Sequence, residues 1–479
     1  MPLQRGEGFF EALFGFQEAE YFSTRHQLFS KCTFETKRRH TSPDIQGVFK
    51  ERALFEHPSL GRCHLISSGW HSTPSVAHLR EETAKLVGVF EAQRPGVLAE
   101  LREAPPVLQG EEEVSKSCAP STASISSAEP STAPWVQCSH TTGKSEALHL
   151  CFPNAFFQVA SQLNALEFIS PDVTPEDGVT HYVHDRTQGP ACALACMAGT
   201  AYRNYLLHPN YFNAGATQLT EVGESQRGQQ ALHQLSLLDD LTAYLTQSHG
   251  TSTSAALPKV EFDHFYRVRG GYFHPTPSIS GLQDRLGSIA ASQGTTLTSV
   301  EEALISRLRI ALAEDATVTL PLHHGCEDDT SLSTLHEVSQ SYNSALSLPP
   351  PPLAEVLDNV WAGMALLSRI ILRGTYEATL LAAVQHTLRS LEQQSEAART
   401  ANTRSGAGTA QFRLPPIFLT KVGGGVFHND AAWIAAAIES AVCRVAPLGV
   451  PLDIRLVHHR AVEPYYAQYF SSWPLRRSM

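Results

Sequence analysis

IFLTKVGGGVFHND, spanning Ile417 to Asp430, runs an apolar strand into three consecutive glycines and on toward a helix. Gly423, Gly424 and Gly425 contribute no side-chain packing and cost backbone entropy, so such a run is tolerated best where something must approach the main chain closely. A phosphate is the usual visitor, because glycine amides can turn toward one point and a following helix start adds unpaired N–H donors and a positive dipole end. Asn429 is a favourable residue for capping that helix. Behind it Trp433, Ile434, Ala437, Ile438, Ala441, Val442 and Val445 recur at helical spacing, and Leu452 to His458 (LDIRLVH) alternates as a strand. Strand, loop, helix and strand in that order make the chain an α/β protein.

The 479 residues suffice for a large core and by length alone for two or three domains. A net charge of −11 without a basic stripe argues against a nucleic-acid surface and against binding to anionic membranes. Nine scattered cysteines, an odd number, read as reduced thiols of an intracellular protein, cytoplasmic or nuclear. No apolar run approaches the roughly 20 residues of a membrane-spanning helix. Phe9, Phe10, Leu13, Phe14 and Phe16 are interrupted by Glu7, Glu11, Glu18 and Glu20, which suits an amphipathic packing or docking helix rather than a leader.

Composition divides the chain into three parts. Residues 1–104 form a partly helical accessory segment, best marked by Val76, Leu79, Leu86, Val87 and Phe90. Residues 105–145 thin to Ser, Thr, Ala, Pro and Glu and read as a flexible linker or insertion. Residues 146–479 alternate strands (within 148–161, 179–183 and 318–322) with helices (191–207, 229–246, 299–313 and 353–391), interrupted near 349–352 and 396–408.

Two further stretches carry polar clusters. Phe156 to Glu167 (FFQVASQLNALE) ends a strand in Gln158, Ser161, Gln162, Asn164 and Glu167, and the carboxyl ends of strands are where open α/β sheets bind ligands. The competing reading is a turn whose side chains satisfy the backbone. His184 to Tyr205 sets Asp185, Thr187, Gln188 and Gly189 ahead of a small-residue helix, with an ordinary strand-to-helix connection as the alternative. Cys192 and Cys196, one turn apart on that helix, read as packing thiols, and His323, His324, Cys326, Glu327 and Asp328 match no zinc spacing. No metal or cofactor is expected. Glu377, between Tyr376 and Ala378 in an apolar helix, is a candidate buried acid, against the commoner surface glutamate.

Together these stretches resemble the macrodomain superfamily, the ADP-ribose-binding three-layer α/β/α fold with a mixed sheet, and within it the poly(ADP-ribose) glycohydrolase-like branch. VGGGVFHND is similar to that branch's phosphate loop, Gly-Cys-Gly-Val-Phe-Gly-Asn-Asp: Gly423, Gly425, Val426, Phe427, Asn429 and Asp430 fit, while Gly424 stands for Cys and His428 for Gly. TQGPACALA takes the place of the first glycine-rich loop but lacks the vicinal glutamates that supply the family's catalytic acid. A less characterised macrodomain-like group combines QVASQ-x-N, TQGPA and GGG-x-F-x-N, and the chain resembles it over residues 146–460.

The resemblance implies a diphosphate on the amides of Gly423 to Phe427, with Phe427 against the distal ribose and Asn164 and Gln162 on its hydroxyls. Gln158, Asp185, Thr187, Gln188 and Gly189 complete the implied binding set. Hydrolysis of an ADP-ribosyl bond needs a proton donor beside the anomeric carbon, for which Glu167 is the first candidate and Glu377 the second. The expected partner is ADP-ribose or an ADP-ribosylated protein, either hydrolysed or, as the alternative, bound by a non-catalytic reader or scaffold.

Overall fold

A computed structural model describes residues 8–38, 49–58, 61–103, 107–108, 135–208, 223–250, 257–324, 335–350, 358–405 and 412–470. Its strands are β1 (Cys32–Arg38), β2 (Phe49–His57), β3 (Gly61–Ser67), β4 (Trp70–Ser72), β5 (Val107–Leu108), β6 (Val136–Thr142), β7 (Phe156–Ala160), β8 (Tyr266–Arg269), β9 (Tyr272–Pro275), β10 (Ala311–Thr317), β11 (Glu337–Asn343), β12 (Arg413–Leu414), β13 (Pro416–Leu419) and β14 (Leu452–His458). The helices are α1 (Gly8–Phe14), α2 (Tyr21–Ser30), α3 (Val76–Gln93), α4 (Val97–Glu103), α5 (Ser145–Cys151), α6 (Gln188–Ala195), α7 (Met197–Ala201), α8 (Asp239–Thr246), α9 (Leu282–Gln293), α10 (Leu297–Arg307), α11 (Asp358–Ser405), α12 (Ala431–Val445) and α13 (Pro464–Phe470).

The fold is mixed α/β around one large mixed sheet, in the order β1-β2-β4-β10-β11-β7-β13-β14-β6, with β3 also on β2. Five neighbouring strands, β11, β7, β13, β14 and β6, run parallel, while β1, β2, β4 and β10 pair antiparallel. Parallel strands are buried on both faces, which is why PIFL is a continuous apolar run and FFQVA is polar only at Gln158. Phe156 and Ile417 pack into one core with residues of α3, α9, α10, α11 and α12, and their neighbours Phe157 and Phe418 pack into another with α1, α2, α5, α6 and α7. Helices therefore cover the sheet on both sides.

Several expectations shift. The accessory segment contributes β1 to β4 to the same sheet, and Val136–Thr142, assigned to the low-complexity stretch, is its edge strand β6, paired along its length with β14. The strands escaped reading because β2 carries buried charges: Lys50 pairs with Glu314, and Glu51 with Arg227 at 2.7 Å. Residues 109–134, most of the proposed linker, lie outside the described residues, as do Cys326, Glu327 and Asp328. The 148–161 stretch splits into the end of α5 and β7, the proposed strand at 179–183 is a 3-10 turn at Thr180–His184, and 299–313 is α10 followed by the start of β10. Residues 396–405, read as an interruption, continue α11.

Phe9, Phe10, Leu13 and Phe14 are buried on α1, and the Phe14 ring lies 5.1 Å from Phe55 of β2, so this is a packing helix. Ala431–Leu448, 18 residues with mean hydropathy 1.4, is apolar enough by length and composition to cross a membrane. In the fold α12 buries Ile434, Ala437, Ile438, Ala441 and Val442 against the core shared with α11, as a core helix does.

Candidate functional site

The parallel strands β6, β13 and β14 release their loops at one end of the sheet, and a cavity of about 1400 Å³ opens there. Gly143 to Glu146 follow β6, Thr420 and Lys421 follow β13, and Val457, His459 and Arg460 come from the end of β14. Across from them stand Asp185 to Gln188 at the start of α6, and Phe9, Leu150, Leu194 and Leu320 give an apolar wall. Ligands of open α/β sheets bind in such crevices outside the carboxyl ends of strands.

The triple glycine follows just beyond the cavity-lining Lys421, outside the lining itself. Gly424 donates its amide to the Lys421 carbonyl at 3.0 Å, which turns the chain immediately after the two cavity-lining residues. Gly423 has φ +77°, and a Cβ there would stand 2.4 Å from the Ala345 methyl, so glycine is required. Gly424, Gly425 and Val426 are exposed. Asn429 does not cap α12; that role falls to Asp430, which accepts from Ala432 N–H at 2.7 Å. Instead the buried Asn429 amide donates to the carbonyls of Leu346, Gly423 and Phe427 at 2.8–3.3 Å, and its carbonyl accepts from Ser368. One side chain thus closes the loop into a ring. His428 adopts φ +52°, a left-handed conformation that costs a non-glycine residue about 1 kcal/mol. His428→Gly should therefore stabilise the protein by up to about 1 kcal/mol in urea unfolding, less the entropy glycine adds to the unfolded chain; a clear loss of stability would show that the imidazole itself holds the loop.

The FFQVASQLN cluster serves mostly the fold. Gln158 is wholly buried, donates to Thr379 Oγ1 at 3.2 Å and accepts Thr420 N–H at 3.1 Å, bracing β7 to β13 and α11. Asn164, expected on a ribose, is 1 % exposed: it donates to Gln234 at 2.8 Å and accepts Leu166 N–H at 3.0 Å within its own turn. Gln162 donates to the Phe168 carbonyl, and its buried Oε1 has no hydrogen-bond partner among the described residues. Gly189 is a close-packing glycine rather than a ligand contact, since a Cβ would lie 1.9 Å from the Ala160 carbonyl. Gln188 lines the cavity and also clamps Ala160 N–H at 2.7 Å and the Gln158 carbonyl at 2.8 Å. Asp185 and Thr187 line the cavity, Asp185 accepting the Thr187 amide at 2.8 Å.

Neither glutamate lines the cavity. Glu167 lies beneath Gly189, fully enclosed, accepting from Arg203 at 3.1 Å and from Ser161 Oγ at 2.9 Å. Burial raises its pKa, and the Arg203 charge and the Ser161 hydroxyl hold it down in part. Glu377 belongs to the opposite face: it takes a two-pronged bond from Arg80 of α3 at 2.5 and 2.9 Å and lies 4.0 Å from Arg444. Arg444 ends α12 while the glycine loop precedes it, a separation of about 20 Å at 1.5 Å per helical residue.

Two features escaped the sequence reading. Tyr272 on the β8–β9 hairpin sets its ring edge-on to Phe427 at 5.5 Å and donates to the Phe168 carbonyl at 2.8 Å. The adjoining Gly271 leaves no room for a Cβ against Asn164 and Gln162, so the hairpin joins the two distant stretches. Burial pushes the Tyr272 phenol up to about 12, with the Gln162 amide lowering it and the Asp185 charge raising it. The signal was present in FYRVRGGYFH, two aromatic runs around an Arg-Gly-Gly turn. The second feature is a set of cavity cations, Lys144, Arg186 and Arg460, drawn from three separate loops that only the topology brings together. Among the described residues no cluster of three or more His, Cys, Asp or Glu could hold a metal ion, and Cys192 and Cys196 are buried with their thiol pKa values raised by burial. No family model, no curated protein and no solved structure matches the chain.

Proposed function

We propose that the chain is a macrodomain-like module of the three-layer α/β/α type that binds ADP-ribose, free or on a modified protein, and acts as a reader rather than a hydrolase. The observation that carries the reading is the Asn429-closed glycine loop after β13, with Gly424 and Gly425 exposed just beyond Lys421 of the large crevice. Phe427 with Tyr272 supplies an aromatic corner for a sugar. The reader is favoured over the hydrolase because Glu167 and Glu377 are each bound to an arginine away from the cavity.

Gly425→Glu is the cleanest test. No atom lies within 4 Å of a Cβ at this position, so the fold tolerates the side chain while a carboxylate enters the diphosphate seat. Calorimetry should give saturable ADP-ribose binding by the wild-type chain and a loss of about 100-fold or more in the variant, about 2.7 kcal/mol. Release of ADP-ribose from a modified protein by the wild-type chain would return the hydrolase to the lead. Absence of binding to any adenine diphosphate would leave a scaffold.

A further inference from the structure

We propose that the polypeptide bearing the ADP-ribose docks an apolar side chain on a surface strip formed by Ile169, Tyr272, Phe427 and Val426. Val426 and Ile169 are 73 % and 68 % exposed, the most open large apolar side chains among the described residues after Leu232. Single exposed apolar residues are ordinary on a protein surface, whereas several meeting in one patch mark a contact site. These two meet through the half-buried aromatic pair between them. Val426 precedes Phe427, whose ring lies 5.5 Å from that of Tyr272, and the Tyr272 hydroxyl donates at 2.8 Å to the carbonyl of Phe168, the neighbour of Ile169.

Length, charge and position point to one occupant. From Val426 to Ile169 the strip runs roughly 10 Å, the length of about three residues of extended chain. Arg269, opposite Tyr272 across the β8–β9 pair, is matched by Asp172 at 2.7 Å, so this neighbouring charge is neutralised and the strip stays apolar. A charged segment gains nothing on such a surface, while a leucine side chain removes both itself and the strip from water. Position supplies the partner: with Phe427 against the distal ribose, the bond from that sugar to a modified protein leaves the corner beside the strip. This rests on the ADP-ribose reading, which places the ribose; what it adds is that the site reads the residue next to the modified one.

Calorimetry on the full chain would compare free ADP-ribose with two synthetic peptides, each ADP-ribosylated on one serine, that serine flanked by leucines in the first and by glycines in the second. The leucine peptide should bind about 10-fold tighter than free ADP-ribose, and the glycine peptide within about twofold of it. Ile169→Asp should abolish the leucine gain while free ADP-ribose keeps its affinity within about twofold, because Ile169 is exposed and lies outside the glycine loop. Ile169→Leu, which keeps an apolar side chain, should retain the gain, and thermal melts of both variants should match wild type. If the two peptides bind alike, or if the gain survives in Ile169→Asp, the proposal is overturned while the ADP-ribose reading stands. If free ADP-ribose does not bind the wild-type chain, both fall.

Discussion

Arg203→Leu should cost about 3–5 kcal/mol of unfolding free energy, the usual penalty for stranding one member of a buried ion pair. Arg203 is 1 % exposed, its guanidinium lies 3.6 Å from the Tyr342 ring centre, and it donates to the Ala165 carbonyl at 2.9 Å as well as to Glu167. Removing it leaves a carboxylate held by the Ser161 and Tyr182 hydroxyls, in surroundings that already raise its pKa. The double variant R203L/E167L should recover much of the loss, because two apolar side chains of similar volume remove both charges together. Equilibrium urea unfolding of the two variants decides it, and a single-variant loss below about 1 kcal/mol would mean that the pair is not closed in solution. Glu167→Gln then separates structure from chemistry. It keeps an acceptor for Arg203 and Ser161, so a folded variant with unchanged ADP-ribose binding is expected if the carboxylate is a brace.

What could be read in the sequence was what one continuous segment carries. Strand, glycines, helix and strand lie within Ile417–His458, and each is set by local composition, so β13, α12 and β14 match their expected places. The chemistry of Gln158, Asn164 and Glu167 was misassigned for a physical reason: a polar side chain at a strand end looks the same in sequence whether it faces a ligand or a neighbouring carbonyl. Their partners, Thr379, Gln234 and Arg203, lie 36 to 221 residues away. Lys50 and Glu51 hid β2 in the same manner, since a buried charge shows as solvent-facing until its distant partner is known. The cavity cations are the extreme case, single residues on three loops that gain meaning only because β14 and β6 are neighbours and the start of α6 faces their ends.

Lowering the pH from 7.5 to 5 should destabilise the fold well before its carboxylates titrate. His149 is stacked on Phe157 at 3.7 Å and hydrogen-bonded to the Ser145 carbonyl and to Gln340; burial holds its pKa at about 4. His386, between Ser339 and the Asn154 carbonyl, is likewise held at about 4, by burial and then by the Arg389 charge. His458, 2.9 Å from His140 across the β14–β6 pair, is pushed down to about 4 by burial, with Lys421 and His140 adding to the effect. In each case the folded pKa lies below the unfolded value near 6.5, so between those limits the unfolded chain binds more protons and stability falls as pH falls. For the fully enclosed His149 and His386 the loss is about 1 kcal/mol each at pH 5.5 and on the order of 3 kcal/mol each by pH 4. Urea midpoints measured at half-unit steps should therefore begin to drop near pH 6.5, above the range where ordinary carboxylates protonate. His149→Phe should flatten that slope while lowering stability at pH 7.5, because the ring stack survives and the two hydrogen bonds do not. A midpoint constant from pH 7.5 to 5 would mean that these imidazoles take up protons in the folded protein without penalty, and the packing around Phe157 and His386 would have to open to water to let them.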